Sequence, residues 1–234
     1  MSRRKHLDPS GKSLEDYPRP SVAVDTAVLT LDSDLGLVVL EVLRPDGNHW
    51  VLPGTFLHEH ETLADAVERS LADKANVHGL RPRQLHVFDD PDRDDRGRVL
   101  SVAHIAVVQP SQLLGRKSGA ARLVPVVPTG RLYGHDDIVE RAVAELRTRY
   151  RDRPDPDRLL GDTFTLRELR QVHEVISGKR LQADNFRRAM EGLVVGTDEL
   201  SAGGRGRPAE LFRRNDTGFN QKSIGLRGAK TGDM

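Results

Sequence analysis

Apolar and polar positions follow two different periods along this chain, and each change of period marks an element. Residues 22–31 (VAVDTAVLTL) and 35–43 (LGLVVLEVL) are dense in Val and Leu, with Asp32-Ser33-Asp34 between them. Short apolar runs around a turn triplet predict a β-hairpin. From 62 the spacing becomes helical: Leu63, Ala66, Val67, Ser70 and Leu71 share one face. Thr62 and Asp65 stand three apart and predict a reciprocal cap at its start. Strands are expected at 84–88, 99–109 and 123–127, with loops at 78–83, 89–98 and 112–122. Residues 135–150 return to the helical period, with Ile138, Val139, Ala142, Val143 and Leu146 inward. This order predicts an α/β sandwich over residues 21–152.

The pattern changes after a proline-bearing linker, 153–157, inside DRPDPD. Thr165 and Glu168 form a capping box for a helix at 166–176, with Leu166, Leu169, Val172 and Ile176 inward. A turn at 178–181 leads to a second helix at about 182–191, with Phe186, Ala189 and Met190 on one face and Arg187 and Arg188 pointing away. Strands at 193–197 and 209–213 flank the loop DELSAGGRGRP. Helix, turn, helix and a two-stranded wing make a winged helix-turn-helix over 158–215, whose second helix would enter the major groove. Residues 1–20 and 216–234 read as flexible tails.

Composition narrows the class. The 234 residues contain no cysteine, which excludes disulfides and thiolate metal sites. No apolar run approaches the ~18 residues of a membrane span, and the basic N-terminus lacks the apolar core of a secretory signal, so a cytoplasmic protein with no membrane partner is expected. Residues 21–157 carry 17 Lys+Arg against 22 Asp+Glu, whereas 158–215 carry 11 against 8. An acidic first part and a basic second part fit a sensor joined to a nucleic-acid-binding domain. Aromatics at 4%, not interleaved with basic residues, argue against recognition of single-stranded RNA.

The stretch WVLPGTFLHEHETLADAVERSLADKANV, residues 50–77, resembles the Nudix box of the Nudix hydrolase superfamily. Glu61 and Arg69 match the box glutamate and arginine, Thr55 replaces the box glycine beside Gly54, and Asp73 keeps an acid. Ser70 and Lys74 stand where the family has metal-binding glutamates. Mg²⁺ needs hard carboxylate oxygens close together, and positions 70 and 74 lie one helical turn apart. A hydroxyl and an ammonium there predict a pocket without hydrolysis, with no catalytic or metal-binding residues and no required cofactor.

The degenerate box, with FTLREL at 164–169, NFRR at 185–188 and GGRGRPA at 203–209, resembles the NrtR family of Nudix-related transcriptional regulators of NAD metabolism. The resemblance implies a homodimeric repressor of NAD biosynthesis or salvage genes, bound to palindromic double-stranded DNA, with ADP-ribose or a related NAD-derived nucleotide as effector. The expected effector residues are Arg44, Trp50, Gly54, Glu61, Arg69, Asp73, Arg93, Arg96 and Asp136; the arginines suit phosphate because of their bidentate fork. The expected DNA-binding residues are Lys179, Arg180, Asn185, Arg187, Arg188, Arg205 and Arg207. An alternative is an active ADP-ribose pyrophosphatase with an accessory domain, in which Glu61, Asp65, Glu68 and Asp73 would assemble the metal site.

Overall fold

The structure is a computed structural model and describes residues 7–201 and 208–215. The first two runs form strands β1 (Ser21–Asp32) and β2 (Gly36–Leu43). Their turn is fixed by the Asp32 carboxylate, which accepts the N–H groups of Asp34 and Leu35, both at 2.9 Å. Strands β3 (Trp50–Val51) and β4 (Gly54–Phe56) precede helix α1 (Leu63–Ala75). Thr62 and Asp65 cap α1 reciprocally, as their spacing predicts. Strands β5 (Arg83–Phe88), β6 (Val99–Val107) and β7 (Ala121–Pro125) and helix α2 (His135–Arg149) follow.

One mixed sheet runs in the order β3-β2-β1-β6-β5, with β4 added to β1 and β7 to β2. The centre is a parallel pair, β1 and β6, in register from Ser21↔Val99 to Leu29↔Val107. A strand covered on both faces needs continuous apolar sequence, which explains VAVDTAVLTL. On one face α1 packs Ala66, Val67 and Leu71 against Val24, Val28 and Leu40. On the other, α2 packs Ile138, Val139, Ala142 and Leu146 against Ala27, Leu29, Val39 and Ile105. Strand β7 begins and ends two residues earlier than expected, because pairing of Ala121–Pro125 with Val42–Val38 of β2 sets its limits.

Helices α3 (Leu166–Ser177) and α4 (Ala183–Met190) and strands β8 (Val194–Leu200) and β9 (Glu210–Arg214) form the winged helix-turn-helix. Phe164, Leu169, Phe186 and Met190 make its core. The expected inward Ala189 is exposed; the core is served by Phe186 and Met190, one turn apart, and Ala189 faces a neighbouring cavity instead. The two parts are joined tightly. Val172 and Ile176 of α3 enter the core beneath α2. The expected linker is pinned by Asp155, fully buried, which accepts from the Tyr150 hydroxyl at 2.7 Å and from the N–H groups of Leu159 and Leu160 at 2.8 Å. Arg214 of β9 pairs with the same carboxylate. Among the described residues no helix is long and apolar enough to cross a membrane.

Candidate functional site

A cleft of about 320 Å³ opens where β1, β4, the 93–96 loop and the start of α2 converge. Its floor is Asp25, the one acid in the apolar run of β1. Asp25 Oδ1 faces His135 Nε2 at 3.3 Å, and Oδ2 accepts from the Ser101 hydroxyl at 2.5 Å and lies 3.8 Å from Arg93 Nη2. Burial opposes its charge, but these partners outweigh it and hold the carboxyl below its usual value. The Leu52 N–H donates to His135 Nδ1 at 3.1 Å, so the imidazole proton on Nε2 points at Asp25. Gly54 is required by this packing, since a Cβ there would come within 1.9 Å of Asp25 Oδ1.

Four cations line the cleft, Arg44, Lys74, Arg93 and Arg96, against two carboxylates, Asp25 and Asp94. Arg96 is held by Asp94 through two bonds, 2.8 and 2.7 Å, and sits between the rings of Phe56 and Tyr133, 5.2 and 4.7 Å from their centroids. Its guanidinium holds the Asp94 carboxyl below the usual range. Arg44 Nη1 bonds the Tyr133 hydroxyl at 2.5 Å. Tyr133 adopts a left-handed backbone, φ 59°. A non-glycine residue is strained there, and such strain gathers at functional sites. Arg93 donates to the Tyr133 carbonyl at 2.8 Å, so three arginines converge on this tyrosine.

Lys74 reaches the cleft from α1, and its ammonium donates to the Gly54 carbonyl. The side chain as a whole is exposed, but its charged end is partly desolvated. That desolvation, with Arg69 and Arg44 nearby, lowers its pKa although Asp25 and Asp73 act in the other direction. The box therefore does not fit a divalent metal: the Ser70 hydroxyl is buried without a partner among the described residues, and Lys74 presents a positive charge. Glu61 is engaged in a two-point ion pair with Arg69, at 2.7 and 2.8 Å, and accepts the His58 N–H. Arg69 also bonds Thr55 Oγ1 and the Phe56 carbonyl, so this pair clamps the loop onto α1. Asp65 is used in the Thr62 cap.

The turn and α4 of the second domain present their cations outward. Gln182 caps α4 by accepting the Asn185 N–H at 2.9 Å. Asn185 in turn accepts from Arg188 Nη2 at 3.1 Å, which orients that arginine along the helix. Lys179, Arg180, Asn185, Arg187 and Arg188 are all exposed on the turn and α4. Arg205 and Arg207 lie outside the described residues.

Residues 157–214 match the family model of the NrtR DNA-binding winged helix domain. Over 210 residues the chain is 30% identical to the "ADPR responsive transcriptional repressor NtrR" of Acinetobacter baylyi, covering 85% of this chain and 83% of that protein. This chain belongs to the NrtR family. Its fold matches the crystal structure of Shewanella oneidensis NrtR complexed with a 27mer DNA, with a TM-score of 0.69 and 31% identity over 83% of this chain and 93% of that one. A shorter likeness, 33% over 89 residues, links 38% of the chain to 52% of an ADP-ribose pyrophosphatase of Methanocaldococcus jannaschii.

In this NrtR protein the residues expected at the effector site divide into two groups. Arg44, Gly54, Arg93 and Arg96 line the cleft. Trp50, Glu61, Arg69, Asp73 and Asp136 are not among its lining residues. Trp50 is covered by Arg122, 4.1 Å above its ring. Asp136 accepts the N–H groups of Gly130 and Arg131, at 2.8 and 3.1 Å, and fixes the loop before α2. Asp25, Phe56, Lys74, Asp94, Tyr133 and His135 also line the cleft and were not among the expected effector residues. A lone acid in a buried strand was the available signal for Asp25. Nothing local distinguishes Phe56 or Tyr133.

Proposed function

We propose that this NrtR-family chain is a DNA-binding transcriptional regulator, a repressor, that senses ADP-ribose or a closely related NAD-derived nucleotide in the Nudix-domain cleft. It holds that ligand without a divalent metal and without hydrolysing it. The observation that carries the reading is Lys74: an ammonium occupies the position of a metal-binding glutamate and lines the same cleft as Arg44, Arg93 and Arg96. The excess of cations over carboxylates suits a pyrophosphate. The rings of Phe56 and Tyr133 beside Arg96 offer apolar surface for a base or ribose. The repressor name of the Acinetobacter relative and the DNA complex of the Shewanella relative support the same role.

Homodimerisation on a palindromic operator controlling NAD biosynthesis or salvage genes belongs to this reading, as does a cytoplasmic location. A two-fold protein matches a two-fold operator. The pyrophosphatase alternative draws on the Methanocaldococcus likeness, but it needs Glu61 and Asp65, which are committed to Arg69 and Thr62. The experiment is calorimetry of the full chain with ADP-ribose in EDTA and in Mg²⁺, with a parallel assay for ribose 5-phosphate. Equal affinity in both buffers and no product is expected. Metal-dependent product formation would transfer the chain to the enzyme reading.

A further inference from the structure

The last helix of the Nudix domain and the helix-turn-helix border a second, open cavity of about 590 Å³. It shares only Lys179, Arg180 and Asn185 with the residues assigned to DNA, and none with the effector cleft. Helix α2 supplies Arg147, and Tyr150 and Arg151 follow at its end; α3, the turn and α4 close the other side. Arg147, Arg151, Lys179 and Arg180 all line it, and no carboxylate does among the described residues. Like charges gathered around a partly apolar hollow repel one another unless an anion enters.

A buried acceptor lies beneath the same cavity. His173, only 5% exposed, is one of its lining residues. The ring meets Tyr150 and Phe186 edge-on, with centroids 5.2 and 5.1 Å away. One ring nitrogen is engaged by the Tyr150 carbonyl, whereas Nε2 is buried with no hydrogen-bond partner among the described residues. A buried polar atom without a partner is uncommon enough to need a cause. Nothing in the DNA-reading role of α4 supplies one, because α4 faces DNA through its exposed side chains and His173 lies beneath.

We propose that this junction cavity is a second small-molecule site, taking a compact organic anion that carries an N–H donor and a planar body. The planar body lies against Phe186 and Met190, the acidic group meets the four cations, and the donor reaches His173 Nε2 through a small shift of the rings packed on it. A cavity of this size accommodates a ligand of that class. Its walls come from α2 on one side and from α3 and α4 on the other. Occupancy therefore sets how the helix-turn-helix is held against the Nudix domain, and the site modulates DNA binding separately from the cleft.

The test uses 5′-AMP as probe, since it combines an amino group, a planar base and a phosphate, and adenosine as the uncharged control. Nuclear magnetic resonance of the ¹⁵N-labelled full chain reads each position. AMP is expected to move the His173 ring nitrogens and the amides of the 177–185 turn saturably, with adenosine at least tenfold weaker. His173→Phe keeps the aromatic packing and removes the acceptor; Arg151→Ala removes one exposed cation. Each should weaken AMP at this site at least fivefold and leave ADP-ribose binding in the cleft unchanged. Should His173→Phe fail to fold, Arg151→Ala alone decides. Shifts confined to cleft residues such as Tyr133, or unchanged AMP affinity in the variants, would overturn the proposal. So would a flattened salt dependence of DNA binding in Arg151→Ala without any AMP response, which would make these cations part of the DNA seat.

Discussion

The ammonium of Lys74 donates to the carbonyl oxygen of Gly54, and so ties α1 to β4, whose Gly54 pairs with Asp25 of β1. This contact places a fixed positive charge where a hydrolase of the same fold would hold a metal ligand. Replacing Lys74 with glutamate should reverse the sign of that contribution. A charge-assisted bond is worth ~1.5–3 kcal/mol, so Lys74→Glu is expected to weaken ADP-ribose by about tenfold or more in EDTA. Mg²⁺ should recover part of the loss in the variant and do nothing for the wild type. Calorimetry in both buffers decides, and a wild-type protein that itself requires Mg²⁺ would remove Lys74 from this role.

Arg96 is preorganised by Asp94 and by two aromatic rings, so it loses little freedom on meeting an anion. Arg96→Ala and Arg44→Ala should each cost ADP-ribose binding ~1.5–3 kcal/mol and leave DNA binding intact. Unaltered effector affinity in both variants would place the ligand elsewhere.

How much of this was legible in the sequence depends on what fixes each feature. The strands, both capping boxes and the helix-turn-helix follow from local pattern, and Thr62–Asp65 and Thr165–Glu168 form as their spacing predicts. Arg44, Gly54, Arg93 and Arg96, singled out because charge and turn chemistry are visible in one dimension, line one cleft. Glu61 and Arg69 matched a family pattern, yet their two-point pair serves the loop clamp rather than the cleft. Tyr133 and Phe56 come from segments far apart in the chain and meet only across the sheet, around Arg96. The linker was legible from its prolines, whereas the burial of Asp155 against Arg214 of the wing depends on tertiary structure.

Arg188 lies on α4, braced by Asn185, and a rigid arginine fork can hold guanine in the major groove. Arg188→Ala should cost ~1–3 kcal/mol on the operator and little on random DNA. Binding to both DNAs over a salt series separates this from a phosphate contact, whose loss would weaken both alike and lower the salt slope by about 1.

Burial pulls the His173 imidazole down to about 4 from an ordinary 6.5, although Asp155 and the Tyr150 carbonyl pull the other way. Between those values the unfolded chain binds a proton that the folded chain refuses. Stability contributed by this residue therefore falls as pH drops from about 6.5 toward 4. Denaturant unfolding across this range should show the acid-side loss, and His173→Phe should flatten it. An identical pH dependence in wild type and variant would mean that folding does not hinder protonation of His173.

The central claim is that ADP-ribose acts on this chain as a signal and not as a substrate. It is tested most directly by titrating ADP-ribose, with Mg²⁺ present, into the full-length protein bound to its operator DNA while assaying for ribose 5-phosphate. A saturable change in operator affinity is expected, with the added ADP-ribose recovered intact. Operator affinity that ignores ADP-ribose, or steady release of ribose 5-phosphate, would contradict it.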